Sequence, residues 1–130
     1  MNMPLRLVTV LLGLLLFSSC TKEPDLAGFD AEAFKQDKGG CMGTRAKQIE
    51  WLKTHKENLK AVSSNRLEEL IGRPDIQQLA DRNQEYYIYF LETGPHCEKL
   101  TKPSNSPSIA FRFSAIGLAT EVTFQLGVPL

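Results

Sequence analysis

The side chains in this chain that could do chemistry are few: Cys20, Cys41 and Cys97, with His55 and His96, in 130 residues. Cys41, His55, His96 and Cys97 form a ligand set that zinc accepts, two thiolates and two imidazoles. They lack the close Cys-x2-Cys or His-x3-His spacing that marks a zinc site, so a disulfide between Cys41 and Cys97 is the preferred expectation. Two buried free thiols are the other arrangement. Glu68 and Glu69 are adjacent and point to different faces of a helix, which makes them poor acid–base partners. Glu92 and Glu98 are the next nearest carboxylates, and no glycine-rich loop is present to cradle a phosphate. Without a nucleophile, a base and a group to orient them, the expected role is binding and not catalysis, with no cofactor and no metal.

The compartment is read from the first twenty residues. One basic residue, Arg6, precedes an apolar run from Leu7 to Phe17, and Ser18-Ser19 lead into Cys20. That is the layout of a secretory signal, too short to remain as a membrane span. A cysteine placed straight after the small residues resembles a bacterial lipoprotein signal, in which the thiol is acylated and becomes the first residue. The expected organisation is a signal peptide over 1–19, a lipidated tether over 20–28 and one domain over 29–130. Its expected place is the cell envelope, anchored through lipid on Cys20. Removal of the signal takes only Arg6 from fifteen basic residues and none of fifteen acidic ones, which leaves a formal charge near −1. That balance argues against nucleic acid as a partner. If Cys20 carries lipid, Cys41 and Cys97 remain as an even pair in a disulfide-permissive compartment.

The elements that must position these groups follow from local patterns. Phe29 to Phe34 predicts a short helical turn capped by Asp30, with both phenylalanines inward, and Gly39-Gly40 breaks it. From Thr44, a plausible N-cap, Ala46, Ile49, Leu52 and Leu59 recur near a helical period, with Trp51 beside the stripe. Ser63-Ser64-Asn65 supplies caps for a second helix whose inward face is Leu67, Leu70 and Ile71, and Gly72 with Pro74 stops it. Gln77 to Asn83 reads as a polar link. Tyr86 to Leu91 is a strand by composition, Gly94 to Ser108 a long loop, and Ile109 to Phe113 a strand with Ile109, Phe111 and Phe113 inward. Ala115 to Leu118 supplies a turn before a partner strand with Val122 and Phe124, and the tail from Gly127 is expected to fray. The fold class predicted is α+β, with two helices packed on one face of a three-stranded antiparallel sheet.

Two surface features offer themselves to a partner. Lys53, Lys56 and Lys60 recur at helical spacing as a positive stripe, suited to lipid phosphates or an acidic protein, or simply a solvated helix face. Tyr87 and Tyr89 fall on one side of their strand, with Tyr86, Ile88 and Phe90 on the other. One set enters the core; the other is available to a partner unless helices or the long loop cover it, and Tyr87 with Tyr89 is the candidate binding set.

The run Leu67-Glu68-Glu69-Leu70-Ile71-Gly72-Arg73-Pro74-Asp75, with the aromatic strand Tyr86 to Leu91, resembles the helix-to-strand corner of the BamE/SmpA-type small outer-membrane lipoproteins. Phe111 to Leu118 is similar to the family's following hairpin, and the resemblance covers roughly Val62 to Phe124. It implies an α+β fold and an accessory or scaffold role in outer-membrane protein assembly, with another envelope protein as partner. A β-lactamase-inhibitor-like or ligand-binding lipoprotein uses a similar two-helix, strand-rich plan and is the alternative.

Overall fold

The computed structural model describes residues 22–129. The signal, Cys20 and its lipidation lie outside the described residues. Three α-helices come first: α1 (Ala31–Gln36), α2 (Ile49–His55) and α3 (Ser64–Ile71). Four strands follow: β1 (Ile76–Leu79), β2 (Glu85–Phe90), β3 (Pro107–Phe113) and β4 (Ala119–Leu126). They pair in chain order as an antiparallel meander.

Each helix end has a local cause. The Asp30 carboxylate accepts from the Ala33 amide at the start of α1, and the Ser63 hydroxyl accepts from Arg66 at the start of α3. Gly72 closes α3 at φ 89°, a conformation that side chains with a Cβ avoid. The long helix expected from Thr44 is instead α2 with a 3-10 turn on either side, Ala46–Gln48 and Lys56–Leu59. Thr44 does not cap it; its hydroxyl donates to the Ala33 carbonyl. The strand count also differs from expectation. Gln77 to Leu79, read as part of a polar link, belong with Ile76 to an edge strand paired with β2. An edge strand needs no continuous apolar run, and β1 alternates half-buried with exposed residues.

Register assigns each strand residue to a face, because directly opposed residues share one. Tyr87 pairs with Phe111, which pairs with Val122, while Tyr89 pairs with Ile109, which pairs with Phe124. This face meets the helices, and with Phe34, Leu52, Leu59, Leu67 and Ile71 it forms the main core. Tyr87 and Tyr89 are 5% and 0% exposed. They are core residues and offer no surface to a partner, because the helices take this side of β2. Trp51, half-buried on α2, packs on the same core and donates its indole N–H to the Ala27 carbonyl at 2.9 Å. The chain before α1 therefore lies along the domain, with Leu26 and Phe29 against the core and Glu23 in an ion pair with Arg66 at 2.8 Å.

The second face carries Ile88, Phe90, Ser108 and Ala110, all nearly fully buried without an α-helix over them; His96, from the 3-10 turn Pro95–Cys97, stacks on Phe90. The chain beyond β4 accounts for part of this cover. Gly127 donates to Ser106, and the Pro129 carbonyl accepts from Gln78 on the opposite edge strand. The tail crosses the sheet and does not fray as expected; hydrogen bonds at both edges hold it down.

Candidate functional site

A buried polar centre joins the helical half to the sheet. Arg45 is 1% exposed, and its guanidinium donates to Asp75 Oδ2 at 2.6 Å, to the Phe90 carbonyl and to the Phe34 carbonyl. It also lies over the Phe34 ring, 4.5 Å from the centroid. Asp75 Oδ2 accepts in addition from the Phe90 amide, and its Oδ1 from Gly39. The pair survives burial because these further hydrogen bonds satisfy both charges. Asp37, fully buried, holds the turn that delivers Arg45. Burial pushes its carboxyl up, but the amides of Arg45 and Met42, the Thr44 hydroxyl and the Arg45 charge together hold it below the usual carboxylate range. Sequence reading missed Arg45 and Asp37 as functional parts. The signal available was a lone arginine and two aspartates beside glycine and proline corners, which is also how exposed loops look.

Next to this centre, Cys41 and Cys97 form a disulfide with Cα atoms 5.8 Å apart, across 56 positions of sequence. Between them lies His96, 3% exposed and stacked on Phe90 at 3.8 Å between ring centroids. Its Nε2 donates to the Gly39 carbonyl at 2.7 Å, and its Nδ1 shares a hydrogen bond with the Ser104 hydroxyl at 2.8 Å. The loop over Gly39 and Gly40 comes close enough for this because Gly40 has no side chain: a Cβ there would sit 2.7 Å from the Leu91 carbonyl carbon. Cys41, His96 and Cys97 hold their ligand atoms within 4.8 Å of one another, but the sulfurs are bonded together. His55, the fourth member of the zinc set weighed from sequence, is not in this group. It stacks on Trp51 at 4.1 Å and donates from Nδ1 to the Trp51 carbonyl.

Beside the disulfide lies a depression of about 370 Å³, lined in part by Lys38, Arg73, His96 and Lys99. It adjoins a larger groove of about 880 Å³ on the second face of the sheet, and the two share Asp75 and Leu100. Ile76 and Phe90 line the groove from the sheet, Leu100 to Asn105 from the long loop, and Leu126 with Val128 from the chain end. Leu100, Leu126 and Val128 are 47%, 69% and 41% exposed, three of the six exposed large hydrophobic residues among those described. Apolar side chains gathered at one concavity mark a binding surface, whereas scattered ones do not.

The lysine stripe is weaker than its spacing suggests. Lys53 lies 3.9 Å from Glu50 and Lys60 lies 2.8 Å from Glu57, so two of the three cations have a partner on their own segment. The Lys60 ammonium draws the Glu57 carboxyl down. Lys56 starts the 3-10 turn after α2, where the helical spacing of the stripe stops. Tyr87 and Tyr89 stay protonated at neutral pH. Burial, and then the neighbouring Glu68, pushes Tyr87 up to about 12; burial pushes Tyr89 higher still, with its hydroxyl donating to the Gly72 carbonyl.

The architecture defines this as an α+β domain with an antiparallel four-stranded sheet and helices on one face. Compared with protein-family models, curated proteins and solved structures, the chain matches none.

Proposed function

We propose that this chain is a lipid-anchored protein of the bacterial cell envelope, held through an acylated Cys20 with the outer membrane as its setting, whose domain works by binding and not by catalysis. The observation that carries the binding reading is the apolar groove on the sheet's second face, with Leu100, Leu126 and Val128 exposed around it. The most buried polar groups support it, since Arg45, Asp75, Asp37 and His96 are engaged in hydrogen bonds that hold the fold. The sequence layout up to Cys20 supports the anchor.

Two roles follow. By its resemblance to the BamE/SmpA-type lipoproteins, the domain is an accessory in outer-membrane protein assembly, and its partner is an envelope protein. The groove favours the second role, a ligand-binding lipoprotein, because its volume falls in the range of small-molecule sites, about 300–1,000 Å³. The test begins with fractionation of the Cys20→Ala variant, which is expected to leave the membrane; retention there would overturn the anchor. Affinity recovery from gently solubilised membranes then separates the roles. Recovery of β-barrel assembly components, lost on Leu126→Glu, supports the assembly role. Their absence overturns that role and leaves ligand binding.

A further inference from the structure

We propose that the groove and the depression beside the disulfide form one site for a single-chain amphiphile with an anionic head, such as a fatty acid or a lysophospholipid. This rests on the ligand-binding reading and names its ligand class. The two concavities adjoin, sharing Asp75 and Leu100, and the cations Lys38, Arg73 and Lys99 line the smaller one alone. The larger one has Phe90 and Ile76 from the sheet, Pro103 on the loop, and Leu126 and Val128 from the chain end. It suits a hydrocarbon chain, which gains by leaving water and asks for no hydrogen bonds.

The smaller concavity suits an anion. Lys38, Arg73 and Lys99 line it, all three are exposed, and none makes an ion pair among the described residues. Its two carboxylates are already engaged: Asp75 by Arg45, and Glu98 by Lys102. Three cations without partners beside an apolar trough give a field that selects a negative head and places it at one end of the chain. A neutral lipid would leave those cations unused, and an apolar peptide would gain nothing from them. His96, bonded to Gly39 and Ser104, forms a wall behind this end.

The full mature protein, held in phosphatidylcholine nanodiscs, is labelled with photoreactive dodecanoate and, separately, with photoreactive dodecanol, and the cross-linked residues are mapped. Labelling by dodecanoate is expected at Ile76, Leu100, Leu126 and Val128, with dodecanol labelling the same residues weakly. Reversing the three charges (Lys38→Glu, Arg73→Glu, Lys99→Glu) is expected to cut dodecanoate labelling roughly tenfold, about the sum of three modest exposed ion contacts, and to leave dodecanol unchanged. Leu126→Glu should reduce both. All four residues are exposed, so the variants are expected to keep the wild-type melting temperature. Equal labelling by the two probes, insensitive to charge reversal, would overturn the anionic head and leave the ligand-binding reading standing. Labelling confined to residues outside the groove would overturn both.

Discussion

The two faces of the sheet use the same strands to different ends. On the helix side, Tyr87, Tyr89, Ile109, Phe111, Phe113 and Val122 meet six buried side chains from the helical half, and the result is a closed core. On the other side, Ile88, Phe90 and Ala110 are just as buried, yet their cover is a loop, with its 3-10 turn setting His96 on Phe90, and the segment after β4, and an apolar trough remains beside them. Helices bring long apolar stripes that can close a face. Loops carry backbone polar groups that must stay hydrogen-bonded or wet, so they cover a sheet incompletely. The incomplete face is where a ligand can enter, and the closed one holds the shape.

The largest expected difference between the faces comes from truncating one residue on each. Phe111→Ala should cost about 3–5 kcal/mol in denaturant unfolding, since it opens a cavity in the closed core. Leu100→Ala, in the loop that covers the second face and 47% exposed, should stay within about 0.5 kcal/mol of wild type. A large loss at Leu100 would mean that the second face is a true core and the comparison fails.

Reduction of the Cys41–Cys97 bridge should come next, at about 2–4 kcal/mol, because it releases a long loop in the unfolded chain. The bridge joins the segment after α1 to the loop that walls the groove. Amide exchange should therefore rise first over residues 94–106, while β2 and β3 keep their protection. Equal loosening of the helix side would show that the two faces unfold together.

The smallest effect concerns pH. Free tyrosine ionises near about 10, whereas Tyr87 is pushed up to about 12 in the fold by burial and then by Glu68. The folded state holds its proton after the unfolded chain has lost it. Stability is thus intact below about pH 10 and falls as pH rises toward 12, by at most roughly 1.4 kcal/mol per unit. Tyr87→Phe should flatten that slope in a pH series of unfolding curves. An unchanged slope would place the alkaline loss elsewhere.

Much of the local structure was legible. The caps Asp30 and Ser63, the stop at Gly72, the inward set Ile109, Phe111 and Phe113, and the pairing of Cys41 with Cys97 all follow from neighbours a few residues apart or from counting thiols. β1 was not legible, because four residues with two glutamines carry no strand signal until β2 lies beside them. Nor was the helix count, because the short turn expected at Phe29 to Phe34 is a full helix, α1, while the expected long helix narrows to α2 with a 3-10 turn on either side.

The candidate site was less legible than the fold. The tyrosines that looked available belong to the core, and two of the three stripe lysines are paired. By itself the sequence determined the alternation within β2, which sets Tyr87 and Tyr89 against Ile88 and Phe90, because side-chain direction in a strand reverses at every residue. It also determined the caps Asp30 and Ser63, the stop at Gly72 and the even pair of thiols. Only the tertiary structure decided which side of β2 the helices take, and that Arg45 meets Asp75 across 30 positions. It likewise decided that the loop and the chain end leave a trough, with Lys38, Arg73 and Lys99 beside it. These are meetings between segments far apart in the chain, settled by how the whole domain buries its apolar surface, and no short stretch of residues contains them.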